Sequence, residues 1–467
     1  MSDSMKKWGF APAGDLDSPS GGNVAPKPAP VPQPVPQPVP TPVVTPVVTP
    51  VATPVSAPKP AVKKSPFMMA GDLLDAADGR HAASKGSSWD EYRLDKQETV
   101  IGRNQNCDIV TNQAGTSSAH TRISQYNGRY VINDCNSQAG TYINGKKLDQ
   151  AVYLKDRDQI SVGSNNYVFM DGKLLYSKTD DPANRSKVLH SMRPDARPVI
   201  LHADIQTKKV KSHSGLGMKE LIRDIHVDVR EGSLVAILGT AGAGKSTLMN
   251  CMNGMDIKGV KGAVMYRDVD LVHNFEQMQH LIGSVPQEKI FHNVFTPEEE
   301  FMQAAKLRLP DDTTDKEIKE RVDRTLKMLS MNGVRKNKNS KLSGGEKTRV
   351  NVGIELVADR DLLCLDEPEQ GLSPNYKQEL FEILQKLAHD HCKTIITIIH
   401  DVSLIKMCDQ VIMITKADGV GRLAFSGAPT DAKEFFGADF QDVYTLLERN
   451  PQKYVDKFQS YQCAATK

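Results

Sequence analysis

The chain has 467 residues, 59 of them basic and 57 acidic, for a net charge of +2; this excludes the basic excess of a general nucleic-acid binder, so no nucleic-acid partner is expected. Its seven cysteines (Cys107, Cys135, Cys251, Cys364, Cys392, Cys408 and Cys463) include no C-x-x-C pair and are odd in number, which argues against a disulfide framework and for reduced thiols in the cytosol. The N-terminus "MSDSMKKWGFAPAGDLD" lacks the apolar run of a secretory signal, and the most apolar stretches, 234–239 and 394–399, fall far short of the ~20 residues that cross a bilayer.

The length allows two or three domains with their own cores. Residues 1–87 read as a Pro-rich tether, with more than half of the 27 prolines between Pro26 and Pro60. Such a segment is expected to stay disordered and extended, reaching on the order of 100 Å at ~3.1 Å per residue. An echo, "FAPAGDLD" at Phe10 and "FMMAGDLLD" at Phe67, is either chance in a biased region or a twice-used partner-binding motif. Residues 88–177 change to short β-type runs cut by Gly and Asn, which predicts an all-β sandwich, with Asn144-Gly145 as a type I′ hairpin turn. Residues 178–198 read as a polar linker. From Val199 strands alternate with amphipathic helices, an α/β pattern. Within it, Ile318, Val322, Leu326 and Leu329 share one face of a predicted helix over 317–330.

Two segments of the α/β part carry phosphate chemistry. "LVAILGTAGAGKST" is a strand running into G-x-x-x-x-G-K-[ST]: Gly239, Thr240, Ala241, Gly242, Ala243, Gly244, Lys245, Ser246 and Thr247. Glycines let backbone N–H groups wrap a phosphate at a helix N-terminus, Lys245 suits the β- and γ-phosphates, and the Ser246 hydroxyl suits Mg²⁺. "DLLCLDEPEQGLS" delivers Asp366 and Glu367 at the C-terminal end of a buried strand, where α/β sheets bind ligands. Asp366 suits the Mg²⁺ shell, and Glu367 suits a base that orients the attacking water. A further apolar strand brings His400 to the same edge, as a γ-phosphate contact.

These segments resemble the nucleotide-binding domain of ABC ATPases, over 199–430 with a helical tail at 431–467. Gln287 in "SVPQEKIF" and the signature Leu342, Ser343, Gly344, Gly345 and Glu346 follow that family's order. The resemblance implies ATP and Mg²⁺ as cofactors, with Gln287 joining Ser246 and Asp366 around the ion and joining Glu367 and His400 in catalysis. It also implies an ATP-sandwich dimer in which the signature touches ATP held by a second copy of the chain. The glycine-started helix after Ser343 has an N-terminus that favours an anion. Two positions depart from the pattern. No Phe, Tyr or Trp lies between Tyr176 and Tyr266 to stack on adenine, which leaves His202 or His213. Ser373 stands where an aspartate is usual, although Ser373-Pro374 remains a helix-start pair.

The β-rich part resembles a forkhead-associated (FHA) domain through Gly102-Arg103, Ser117, His120, Gly140-Thr141 and Asn144-Gly145. The resemblance implies that Arg103, Ser117 and Thr141 bind a phosphothreonine peptide, while Gly102 and His120 hold loops. A guanidinium and hydroxyls suit a doubly charged phosphate. Ser118 and Ala139 replace residues usual in that family, and a purely structural sandwich is the alternative. The threonines Thr41, Thr45, Thr49 and Thr53, each before a proline, offer a ligand within the chain's own tether. The combination resembles exporter ATPases related to the transporter G subfamily. It implies an ATP-hydrolysing subunit acting on a separate transmembrane permease, hence cytoplasmic and peripheral on the inner face of the cell membrane. The alternative is a soluble phospho-dependent scaffold that uses nucleotide as a switch.

Overall fold

In the computed structural model, residues 89–465 are described, apart from 112–113, 178–181, 194–195, 212–216 and 268. The tether, its threonines and both copies of the AGDL echo lie outside the described residues.

The first region is a two-sheet β-sandwich. Alternating apolar residues close its core, with Leu94, Ile101, Ile123, Ile132, Ile160, Val162, Phe169 and Leu174 all nearly inaccessible. A six-stranded sheet, which includes Thr141–Ile143 and Gln159–Val162, packs on a five-stranded sheet that includes Glu98–Gly102 and Thr121–Tyr126. Asn144 and Gly145 have φ of 50° and 76°, and the flanking strands pair Ile143 with Lys146 and Tyr142 with Lys147. Both central residues at positive φ make this the I′ turn that the Asn-Gly pair predicts. The stretch 178–198 is not wholly irregular: it contains the helix Pro182–Ser191.

The second region is built on a ten-stranded sheet. Its interior strands are apolar on both faces, as parallel strands covered by helices must be. Leu234–Gly239 lies parallel to Thr394–Ile398, which lies parallel to Leu362–Asp366, which in turn lies parallel to Ile282–Val285. The register aligns their C-terminal ends. Ile237 and Asp366 both sit opposite Ile398, and Val285 sits opposite Leu365. The segments leaving these strands therefore emerge along one sheet edge.

A helical layer covers part of this sheet. Helix Asp315–Met328 buries Ile318, Val322 and Leu326, and Leu329 follows at its C-cap. Thr314 and Glu317 form a capping box at its start, which satisfies two of the N–H groups that a helix leaves open. It packs on helix Pro297–Arg308, whose Phe301 lies against Gly353 of helix Gly344–Leu356. At the C-terminal end, helices Pro429–Phe436, Phe440–Arg449 and Pro451–Ala465 dock through rings of Phe425, Phe435, Phe436 and Phe458 at 4.9–6.0 Å between centroids, a spacing typical of favourable aromatic pairs. Among the described residues no helix is long and apolar enough to cross a membrane.

Candidate functional site

The strand Leu234–Gly239 enters the phosphate loop through a glycine that no other residue could replace. A Cβ on Gly239 would lie 2.1 Å from the Ile414 carbonyl oxygen, and Gly244, the N-cap of helix Lys245–Met252, sits at φ 93°. Thr240 and Ala243 are buried, while Ala241, Gly242 and Ser246 face solvent, so the middle of the loop is open to a ligand. Lys245 donates from Nζ to the Gly239 carbonyl at 3.1 Å. Burial lowers its pKa, opposed by the charges of Glu367 and Asp366; an ammonium half-removed from water with two carboxylates nearby is prepared for a polyanion.

Across from it, Asp366 shares a hydrogen bond with Ser246, and its carboxyl is raised above the usual range by burial first and by the Glu367 charge second. Glu367 takes φ 48°, a left-handed conformation uncommon outside glycine and concentrated at functional sites. That turn aims its carboxylate into a cluster. Oε1 meets His400 Nε2 at 2.7 Å, and Oε2 accepts from Gln287 Nε2 at 3.1 Å and from Gln370 Nε2 at 3.3 Å. Gln287 also donates to Gln370 at 2.8 Å. Three side chains from different parts of the chain thus converge on one carboxylate. Gln370 and Glu369 were not foreseen. Glu369 is buried and accepts the His400 backbone N–H at 2.8 Å, which fixes where the histidine emerges. Their position just after Asp366-Glu367 was the available signal.

The signature stands on its own helix start. Ser343 caps helix Gly344–Leu356 and Glu346 returns its carboxylate to the Ser343 N–H at 2.7 Å. Gly344 is exposed, whereas Gly345 is buried against Tyr376. Leu342 corrects an expectation in part: at 5% exposure its side chain is part of the core, so that side chain anchors the loop rather than meeting a nucleotide. Asn351 and Lys289 tie this helix to the segment after Gln287, the former accepting from the Ile290 N–H at 2.9 Å and the latter donating to the Gly344 carbonyl at 3.2 Å. Ser373 precedes Pro374 at a helix start but makes no side-chain cap bond.

Of the two candidates for adenine, only His202 lies among the described residues. His202 is bonded through Nδ1 to Asp228, which raises the imidazole pKa, and His213 lies outside the described residues. Tyr266 is fully buried. With phosphates carrying recognition, GTP is expected to be hydrolysed with a kcat/KM within about threefold of that for ATP. A preference for ATP above about one hundredfold in parallel steady-state assays would mean that the site reads the base.

The sandwich carries a second polar cluster. His120 is fully buried; Nδ1 accepts from the Ser117 N–H at 3.2 Å and Nε2 lies 3.1 Å from the Gly140 carbonyl. An imidazole accepting at Nδ1 and donating at Nε2 is neutral, and burial lowers its pKa accordingly. Ser117 Oγ accepts from the Gln138 N–H at 3.3 Å. Thr141 departs from its predicted role. It is fully buried and its hydroxyl is bonded to Asp134 and Thr121 at 2.6 Å each, so it braces the loop beneath the cluster. Arg103 stands at the cluster's open side, donating from Nε to the Thr116 carbonyl at 3.2 Å. Ser118, one of the two departures from that family's pattern, lies beside it, with Oγ 3.3 Å from Arg103 Nη2.

The family described as "ABC transporter" matches residues 222–370 and the family described as "FHA domain" matches residues 99–163. The "ABC transporter ATP-binding/permease protein Rv1747" of Mycobacterium tuberculosis is 32% identical over 355 residues, 75% of this chain and 38% of that protein. "ABC transporter G family member 26" of Arabidopsis thaliana is 30% identical over 51% of this chain and 34% of its own length. Among solved structures, cbiO1 from Clostridium perfringens, part of the ABC transporter complex cbiONQ, is 26% identical over 55% of this chain and 97% of its own, with a TM-score of 0.44. The chain therefore spans little more than a third of these two curated relatives. Within that share, the two family matches and the cluster at Glu367 agree: the chain carries an ABC ATPase nucleotide-binding domain, matched over residues 222–370, and an FHA domain, matched over residues 99–163.

Proposed function

We propose that this ATPase drives an ABC transporter of the exporter type, as a dimer that clasps two ATPs and acts on a separate membrane-spanning subunit at the inner face of the cell membrane. The observation that carries this reading is the segment from Gln287 to Val294. Its first residue holds Glu367, and its middle is bonded to the signature helix. It exposes Ile290 and Val294 at 67% and 68%, and the following helix Pro297–Arg308 borders a groove lined by Thr296, Glu298, Met302, Lys306 and Lys336. Apolar side chains held out at the end of a rigid connection to the chemistry suit a docking surface. A partner seated there would feel any movement of Gln287 and the signature.

Mg²⁺ fits the residues present. Ser246 and Asp366 are hard oxygen donors already in contact, and the mutual repulsion of Asp366 and Glu367 is what a cation between the first pair would relieve. Bound with ATP, the ion supplies charge neutralisation at the β- and γ-phosphates. The FHA domain, in this reading, recruits or regulates through a phosphothreonine peptide, and the tether threonines Thr41 to Thr53 are a source close at hand.

Affinity purification of the chain from detergent-solubilised membranes tests the motor reading. A multi-spanning protein is expected at stoichiometric ratio, and I290D/V294D should release it. Recovery of the chain free of any membrane protein, from the soluble fraction alone, would overturn the motor reading in favour of a phospho-dependent regulator.

A further inference from the structure

The open side of the FHA cluster is covered by the chain itself. The end of the loop after helix Pro297–Arg308 and the first turn of helix Asp315–Met328 carry "DDTTDKE", residues 311–317. Arg103 Nη2 donates to Asp312 Oδ1 at 3.1 Å and lies 3.5 Å from the Thr313 hydroxyl. Arg103 Nη1 bonds Glu317 Oε1, and the Ser118 backbone N–H donates to the other oxygen of Asp312. The Arg103 side chain is left only 8% exposed. One carboxylate thus takes a guanidinium and a backbone N–H from the FHA domain together. These are the donors that a threonine-borne phosphate would need.

We propose that the acidic segment 311–317 is the internal ligand of the FHA cradle, and that a phosphothreonine peptide binds by displacing it; the competition rests on the phosphothreonine reading of this domain. The two ligands exclude each other on charge and on space. Arg103 already faces two carboxylates, so a phosphate carrying close to two negative charges adds repulsion unless Asp312 leaves. It offers three acceptor oxygens where Asp312 offers two, and so makes the stronger charge-assisted bonds once it is in place. The internal segment holds the site when peptide is scarce because its effective concentration is about millimolar. Phosphorylation of Thr313 itself fits less well, since it would crowd a dianion among Asp311, Asp312, Asp315 and Glu317.

The same contact reaches the ATPase at two places. The acidic segment belongs to the helical layer, which packs through Phe301 on the signature helix at Gly353. The other foothold is the turn Gln279–Leu281 before the strand Ile282–Val285. There Gly115 of the FHA domain lies so close to His280 that a Cβ would stand 2.4 Å from its ring, and Ala114 joins the ATPase core. Both ring nitrogens of His280 are buried at this seam, and burial lowers its pKa to about 3. One rigid sandwich therefore bridges the helical layer and the sheet. Any closure that shifts the signature against the sheet must break one foothold, so the docked FHA domain acts as a brake and the peptide releases it.

The full-length chain tests this with a phosphothreonine peptide spanning Thr41 to Val55. D312N/E317Q removes two charges from half-exposed sites, while the side-chain amide introduced at position 317 still serves the capping box. If about nine-tenths of the wild-type cradle is occupied internally, this variant is expected to bind the peptide about tenfold more tightly. Its basal ATPase rate should match that of peptide-saturated wild type, and Arg103→Ala should speed amide exchange at 311–317. Equal peptide affinity in wild type and D312N/E317Q would overturn the competition while leaving the phosphothreonine reading intact. A peptide that binds neither form would overturn that reading and the competition with it. Unchanged exchange at 311–317 in Arg103→Ala would overturn the docking itself.

Discussion

Glu367→Gln is expected to reduce ATP turnover by about 10²–10⁴-fold, the range a positioned general base contributes, while leaving ATP bound in a stable dimer. The substitution is isosteric, so the new amide can still meet Gln287 and Gln370, whose own amides now donate to Glu367 at 3.1 and 3.3 Å. What disappears is a carboxylate that orders and deprotonates water. Lys245, Ser246 and the loop N–H groups that hold phosphate are untouched, and so is the signature. Binding and closure should therefore proceed, with hydrolysis blocked. Single-turnover phosphate release together with light scattering in the presence of ATP gives both readouts. Wild-type single-turnover rates in Glu367→Gln would remove Glu367 from its role. Loss of the dimer along with turnover would mean that its carboxylate is structural, through His400 at 2.7 Å. Lys245→Ala should behave differently, by weakening nucleotide binding itself.

The parts of the site legible in sequence are those whose geometry is local. Gly239 to Thr247 form a strand–loop–helix because consecutive residues specify it, and Asp366-Glu367 end an apolar strand where any α/β sheet would expose them. The Asn144-Gly145 turn and the Thr314–Glu317 capping box are likewise written within four residues. The convergence of Gln287 and His400 on Glu367 needed the register of four parallel strands, for which motif order stood in. Thr141 was misplaced because a Gly-Thr pair does not say which face of its strand meets Asp134 and Thr121. Helix Pro182–Ser191 went unseen because, apart from Ala183, only Val188 and Leu189 are apolar within it. Least legible was the pairing of Arg103 with Asp312 and Glu317, more than 200 positions away. One half reads as a phosphate cradle, the other carries no motif, and the packing of Gly115 on His280 is one of the contacts that bring them together.

Mixing two inactive variants is expected to restore activity, provided each nucleotide site takes its phosphate loop from one chain and its signature from the other. A Lys245→Ala homodimer loses both phosphate loops. A Ser343→Arg homodimer loses both signatures, because a bulky side chain stands where the exposed start of helix Gly344–Leu356 would meet the partner's γ-phosphate. Losing the Ser343 cap costs about 1 kcal/mol, too little to unfold a domain of this size. In a mixed dimer the two lesions fall in the same site, and the other site pairs an intact Lys245 with an intact Ser343. Random exchange of equal amounts makes half of the dimers mixed, each with one of two sites working, so roughly a quarter of the wild-type rate should return if the isologous dimer has independent sites. If each chain instead completed its own site, the mixture would stay as inactive as its components at every ratio. Titrating one variant against a fixed amount of the other separates the cases, since composite sites give a rate that rises from nothing and saturates, whereas self-contained sites give a flat line. A flat line, with subunit exchange shown by differently labelled chains, would refute the trans signature and leave the Ser343 helix start as a structural cap.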